Sequence, residues 1–337
     1  MDSSLEKPIH VAIIGAGNIG KNHANCYKNN PLSQIVAFTD VLKDKADQAA
    51  KDFGGKAFGT VKELLASGIR VDAASVCTAG KENGGDHYEP TMELLRAGIP
   101  VLGEKPISNE IPKAKEMVAL AKEKKIPYGI NLNHRFTPAA RRAKEWLEAG
   151  RLGELNSVFM RMWINNPNES SPHFHMRALH PHSLDVMRFF AGDIAKVQAF
   201  FKQGKGRKGW SNVQVNLLFK SGVIGHLHGS YDAGATYGLE TLDLAGSDGR
   251  VVIEDACEKL WFYPRHSPQI ERFDCLGGMR NFGETFASRI DAWLKDLQNK
   301  VAPEKIDGKA EDALKAQFVI EAAIESWDKG SVVVIKE

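Results

Sequence analysis

The sequence predicts an α/β protein in which a doubly wound parallel sheet over residues 1–135 is followed, over residues 136–337, by an α+β domain with a large, mostly antiparallel open sheet. Three observations predict it. The apolar run Val11-Ala12-Ile13-Ile14 feeds a glycine turn, Gly15-Ala16-Gly17-Asn18-Ile19-Gly20. Short apolar strands then alternate with helical segments as far as Arg135, the signature of βαβ units. Beyond that point strand runs of period two take over, with Val213, Val215, Leu217 and Phe219 on one face against Gln214, Asn216 and Lys220 on the other.

Each glycine of the turn has its own task in a dinucleotide-binding (Rossmann) fingerprint. Gly15 permits the tight turn, Gly17 lets backbone approach a pyrophosphate, and Gly20 lets the next helix pack on the strand with its N-terminus toward the anion. A P-loop would need Ser or Thr after Lys21 to hold magnesium, and the chain has Asn22. Gln34–Thr39 reads as a second strand ending in Asp40, roughly 20 residues beyond the glycines, where a carboxylate meets a ribose 2′-hydroxyl. That carboxylate repels a 2′-phosphate, so NAD is favoured over NADP, with Lys43 near enough to soften the preference. Expected cofactor contacts are therefore Gly15, Gly17, Asn18, Ile19, Gly20 and Asp40.

The remaining elements follow in order. Helices are expected at Lys21–Asn29, ended by Pro31, at Lys43–Phe53, closed by Gly54-Gly55, and around Glu63–Leu65; Val71–Cys77 is a buried strand. Thr78 to Tyr88, with Gly80, Asn83, Gly84 and Gly85, lies at the carboxyl edge over the cofactor, which adds Thr78 and Ala79 to the contacts. A helix, Pro90–Ala97, and a strand, Ile99–Gly103, deliver Glu104-Lys105-Pro106; helix Ala114–Lys125 and strand Ile126–Leu132 complete the first domain. The second begins with helix Ala139–Ala149. Strands follow at Ser157–Ile164, Val197–Lys202, Val213–Phe219, Val223–Tyr231, Arg250–Glu254 and Leu260–Tyr263, then helix Asp312–Lys329 and strand Val332–Ile335. An outer sheet face carrying Phe200, Leu217 and Leu227 predicts a homo-oligomer, dimer or tetramer, formed through this sheet.

Composition narrows the partners. A formal net charge of +2 over 337 residues, with no basic block, argues against nucleic acid; Lys202, Lys205, Arg207 and Lys208 read as a solvated loop. Cys26, Cys77, Cys257 and Cys275 show no metal-like spacing, and the chain opens on no apolar signal, so a cytoplasmic protein is expected. No apolar run approaches the roughly 20 residues of a membrane span.

Two stretches carry candidate chemistry. Glu104-Lys105-Pro106 follows a buried strand, and the proline holds Lys105 extended at the ligand-binding edge, where a desolvated ammonium can hydrogen-bond a substrate oxygen. His173 to Asp185 contains His173, His175, His180 and His182. Pro181 suits the first turn of a helix, which would put His182 and Asp185 three apart so that the carboxylate fixes the imidazole tautomer. Two alternatives stand beside the catalytic one: a metal site, for which closing thiol or acidic ligands are not evident, and structural histidines packed under the sheet. No metal is expected.

The chain resembles the Gfo/Idh/MocA oxidoreductases over nearly its whole length. The likeness is carried by Gly15-x-Gly17-x-x-Gly20, His87 before a helix, Ala97 to Pro106 ending in Glu104-Lys105-Pro106, Asn133-His134-Arg135-Phe136-Thr137-Pro138, Gly150-Arg151-Leu152-Gly153-Glu154, and His182-x-x-Asp185. The resemblance implies NAD-linked chemistry on sugars, cyclitols and their derivatives, with Lys105 and His182 beside the nicotinamide and His87 and Glu104 among the cofactor-side residues. The chain departs from the pattern at Ala178, where many members carry an aspartate; His180 can stand in. Its Thr78 to Asp86 segment is also longer than usual. The expected function is an NAD-dependent dehydrogenase acting on a secondary alcohol, with His182 as base, Lys105 on the oxygen, Asp185 orienting His182, and Trp163, Asn165 and Tyr237 holding other hydroxyls. The alternatives are a glycoside-cleaving enzyme that recycles bound NAD internally, and a non-catalytic NAD-binding regulator.

Overall fold

A computed structural model describes residues 7–80, 85–108, 110–233, 239–254, 259–274 and 283–336. The chain forms two compact units, Met1–Asn131 with Phe286–Leu314, and Leu132–Thr285 with Lys315–Glu337.

The first unit is built on a six-stranded parallel sheet: β1 (Ile9–Ile14), β2 (Ser33–Thr39), β3 (Lys56–Phe58), β4 (Ala73–Val76), β5 (Val101–Gly103) and β6 (Tyr128–Ile130), in the order β3-β2-β1-β4-β5-β6. The helices α1 (Asn18–Lys28), α2 (Lys43–Phe53), α3 (Val61–Ala66), α4 (Tyr88–Arg96) and α5 (Ile111–Lys124) connect the strands. Central strands covered on both faces are largely apolar, and Val11, Ala12, Ile13, Ala73, Ala74 and Val76 are fully buried. Strand register sets which residues share the carboxyl edge. Ile14, Val76, Gly103 and Ile130 are successive neighbours across β1, β4, β5 and β6, so Gly15, Cys77, Glu104 and Asn131 emerge there in a row.

A single boundary near Arg135 does not describe this unit, because the chain returns to it. Helix α8 (Gly283–Gln298), an element that the sequence patterns do not predict, places Ile290, Trp293 and Leu294 in the first core with Val11, Ile13, Tyr27 and Phe38. From the same helix the Arg289 guanidinium donates to the carbonyls of Ile130 (3.1 Å) and Gly308 (3.3 Å). Gly129 admits that side chain, since a Cβ there would stand 2.4 Å from it.

The second unit holds a nine-stranded sheet, order β14-β13-β12-β11-β7-β10-β9-β8-β15. Its strands are β7 (Leu155–Trp163), β8 (Ile194–Lys202), β9 (Asn212–Phe219), β10 (Ile224–Ser230), β11 (Leu239–Gly246), β12 (Gly249–Glu254), β13 (Lys259–Pro264), β14 (Glu271–Asp274) and β15 (Val333–Val334). All neighbours are antiparallel except β10 and β7. Helices α6 (Pro138–Glu148), α7 (Phe174–Ala191) and α9 (Ala310–Lys329) contribute to its core.

One face of the sheet buries Val158, Met160, Met162, Val213, Val215, Leu217, Leu227 and Leu242. Leu217 and Leu227 thus face the core and not the outer surface, because period two puts them in step with Val215 and Val213. The outer face carries Phe159, Phe200, Leu218 and Ile224, 36 to 56% exposed. No helix among the described residues is long and apolar enough to cross a membrane.

Candidate active site

The glycine turn closes as its three positions require. Gly15 has φ +95°, and a Cβ there would lie 2.7 Å from the backbone of Cys77 and Thr78. A Cβ on Gly20 would lie 1.9 Å from the Gly15 carbonyl, so only glycine lets α1 sit this close to β1. Gly17 differs, with nothing within 4 Å of a Cβ, and it precedes α1 in extended backbone with no side-chain cap. Open space at an uncapped helix start is the geometry that accepts a pyrophosphate. Asn18 and Ile19 form the first turn of that helix. The Asp40 carboxylate is tied to the turn by Ala16 N–H and held in its own loop by Leu42 N–H, each at 2.9 Å. These residues fit a dinucleotide with a free 2′-hydroxyl.

At the neighbouring edge Thr78 Oγ1 donates to the Asp86 carbonyl at 2.7 Å. His87 spans two segments, with Nδ1 2.9 Å from the Pro106 carbonyl and Nε2 2.8 Å from that of Thr78. It ties the edge loop carrying Ala79 to the Glu104-Lys105-Pro106 turn. Lys105 is half-buried. Burial lowers its pKa, and the adjacent Glu104 carboxylate partly opposes that fall.

Glu104 is 6% exposed. Burial alone would raise its pKa, but the bond and charge of His23, the charge of Lys105 and the bond from Asn131 outweigh it and hold the carboxyl below its ordinary value. His23 Nε2 lies 2.9 Å from Oε1, Asn131 Nδ2 donates to the same oxygen at 2.6 Å, and Lys105 N–H donates to Oε2 at 3.3 Å. His23 Nδ1 meets Ser75 Oγ at 3.1 Å, and Ser75 Oγ meets Tyr27 OH at 2.7 Å. None of His23, Ser75, Tyr27 and Asn131 stands out in the sequence. A single polar residue inside an apolar strand or helix gives no local sign that it is buried with a partner.

In the second unit His173 precedes α7 as its N-cap and His175, His180 and His182 lie on the helix, which starts at Phe174, so Pro181 stands inside the helix and not in its first turn. His182 packs edge-on against His134, ring centroids 4.6 Å apart, and His134 Nε2 lies 3.4 Å from Glu240 Oε2. Asp185, expected to orient His182, receives a fork from Arg135, with Nε donating to Oδ2 at 2.7 Å and the second nitrogen to Oδ1. Both members are almost fully buried. The Asn133-His134-Arg135-Phe136 turn is thus a working part of the α7 neighbourhood. Its run of polar residues straight after a strand is the signal available in the sequence; Glu240, from β11, has none.

His180 turns elsewhere: its Nε2 lies 3.1 Å from His175 Nε2 and its Nδ1 3.0 Å from Ser183 Oγ. Burial pushes His175 down to about 3 and His180 well below its ordinary value, so both are neutral near pH 7. Trp163 lies in step with Phe159 and Arg161, on the sheet face opposite Met162, which accepts a bond from Ser183 of α7. Its ring meets His228 at 5.2 Å there. Asn165 is exposed beyond the end of β7. Tyr237 lies outside the described residues.

Comparison with known proteins places the chain beside NAD-binding oxidoreductases. Residues 9–132 match the GFO_IDH_MocA family, described as an oxidoreductase family with an NAD-binding Rossmann fold, and residues 140–252 match the GFO/IDH/MocA C-terminal domain. The chain is 24% identical to an inositol 2-dehydrogenase of Rhizobium meliloti over 91% of its own length and 94% of that protein. A levoglucosan dehydrogenase of Pseudarthrobacter phenanthrenivorans is 21% identical over 72% of this chain and 73% of its own. The crystal structure of an Agrobacterium radiobacter oxidoreductase in complex with NAD+, L-tartaric acid and magnesium superposes with a TM-score of 0.84 at 21% identity, covering 98% of this chain and 99% of that one.

Proposed function

The chain belongs to the GFO/IDH/MocA oxidoreductase family, and from that premise we propose that it moves a hydride between a secondary alcohol carbon of a sugar, cyclitol or related derivative and the nicotinamide of NAD. The observation that carries this reading is the shared edge of the first sheet: Gly15 and Glu104-Lys105 leave β1 and β5 in one row, so a cofactor-binding turn and a half-buried ammonium face the same side. The names of the relatives, inositol and levoglucosan dehydrogenases, support the substrate class.

NAD, when bound, supplies the hydride acceptor. Gly15, Gly17, Asn18, Ile19 and Gly20 hold the pyrophosphate, Asp40 takes the ribose hydroxyl and disfavours a 2′-phosphate, and Thr78, Ala79 and His87 line the cofactor's edge. As the alcohol carbon loses its hydride, its hydroxyl loses a proton, which requires a base at that oxygen. His182 takes the proton, and Lys105 holds the same oxygen and stabilises negative charge as it develops. Asp185 and Arg135 anchor α7 to the Asn133–Phe136 turn. His180 does not share the base role, because its Nε2 is already engaged with His175 and burial keeps it from protonating.

The test is NADH absorbance at neutral and mildly alkaline pH across cyclitols, aldoses, sugar acids and glycosides, with product followed by mass. Absorbance growth with one class supports the reading and names the class. Product without NADH would replace it with internally recycled NAD and glycoside cleavage; sugar binding without product would leave a regulator. The exposed Phe159, Phe200, Leu218 and Ile224 support assembly through the outer sheet face, and a monomer by light scattering would count against it.

A further inference from the structure

The network beneath Lys105 has a direction. Tyr27 is wholly enclosed, and desolvation raises its phenol well above the ordinary value, so it remains a donor at any working pH. Its hydroxyl lies 2.7 Å from Ser75 Oγ, which in turn lies 3.1 Å from His23 Nδ1. At the other end the ionised Glu104 carboxylate can only accept, so His23 Nε2–H donates to Oε1 at 2.9 Å. The other donors to Glu104, the Nδ2 amino group of Asn131 and the backbone N–H of Lys105, cannot accept. Every donor is thus aimed at one carboxylate, and that carboxylate belongs to the residue before Lys105.

Resting on the role of Lys105 in that chemistry, we propose that His23 is a positioning residue for Lys105: through the bond from its Nε2 it keeps Glu104 ionised and fixed, and the Glu104 charge in turn holds the Lys105 proton. The physical reason is a balance of two opposing effects. Burial favours the neutral amine and the neutral acid alike, so each group gains from the other's charge. Without the His23 N–H the carboxylate loses the largest of the interactions that keep it ionised and is neutralised more easily, and Lys105 then faces burial without that charge beside it. Among the described residues the other titratable groups facing this cluster include Cys77 and Cys26, whose thiols burial pushes up, Arg289, whose charge acts on Tyr27 from α8, and His87, which holds the Pro106 carbonyl. Phe286 closes the apolar side, its ring edge-on to His23 at 5.7 Å.

The experiment is a pH titration of the full-length protein labelled with 13C at lysine Cε, the Lys105 resonance being the one that disappears in Lys105→Met. In His23→Leu the midpoint of Lys105 falls by about one unit, the size of shift that loss of a neighbouring opposite charge produces. His23→Gln, whose amide can still donate, restores most of it. Tyr27→Phe, which keeps the buried ring and removes the hydroxyl at the far end of the chain, gives a smaller fall in the same direction and decides the matter if His23→Leu does not fold. An unmoved midpoint in folded His23→Leu, or in Tyr27→Phe if that is the one measured, overturns the proposal. Turnover separates it from the function on which it rests. Normal turnover in Lys105→Met removes the catalytic role of Lys105 but leaves the titration result standing. If Lys105→Met is inactive, His23→Leu lowers kcat and moves the basic limb of its pH profile down while KM for NAD stays near the wild-type value.

Discussion

Lys105 and His182 are both set among buried polar groups, but the two settings are assembled differently. Around Lys105 the supporting side chains come from α1 and from the ends of adjacent parallel strands, Ser75 in β4, Glu104 after β5 and Asn131 after β6, and the strand register alone brings the last two into step. Around His182 they come from unlike elements: His134 and Arg135 from a turn, Asp185 from α7 itself, and Glu240 from β11. The charge logic differs too. Glu104 keeps its charge for the lysine beside it, whereas the Asp185 charge is answered by Arg135, and Glu240 meets His134, on which His182 packs. A parallel sheet edge thus yields a site whose spacing is built in, and a helix packed on a mixed sheet yields one that depends on distant partners.

Variants of the two regions should differ in kind and in size. Lys105→Met should have the largest effect, lowering turnover by about three orders of magnitude while NAD affinity, measured by fluorescence titration, stays close to normal. Wild-type rates would remove the lysine from the chemistry. His182→Asn should cost about a hundredfold or more, also with NAD binding intact. A far smaller loss would make the two regions unequal in function as well as in construction.

Asp185→Asn should act on stability first, since it leaves Arg135 buried without its counter-charge; a loss of about 3–5 kcal/mol in urea unfolding is expected for a pair this enclosed. Glu240→Gln should be milder, with about a tenfold fall in kcat. Removing the carboxylate beside His134 makes that ring, and the His182 ring packed on it, harder to protonate, so the acidic limb of the pH profile should move to lower pH. A profile that superimposes on wild type would disconnect Glu240 from His182.

The smallest effect is expected at His175 and His180. Burial places their folded-state values below the unfolded one of about 6.5, so the unfolded chain binds the additional protons and stability is lost as pH falls below that value, toward about 3 for His175. Each contributes at most about 1.4 kcal/mol per pH unit in that window. Urea midpoints between pH 7 and 5 should flatten in His180→Gln, and an unchanged slope would mean that other groups dominate the acid sensitivity.

Much was legible in the chain itself. The glycine turn, the carboxylate after the second strand, the alternation of strands and helices and the emergence of Lys105 at a strand end are local patterns, and each is fixed by sterics or periodicity within a few residues. Period two also marked Val213 to Phe219 as a one-sided strand, although the side on which Leu217 and Leu227 would lie had to come from the packing. Tertiary structure alone decided the rest: that α8 returns to cover the first sheet, that His23 meets Glu104 across 81 positions, that Arg135 claims Asp185 across 50, and that Glu240 comes to His134. A buried polar side chain is tolerated only where a partner meets it, and the partner is chosen by how the elements pack, which no short stretch of sequence encodes.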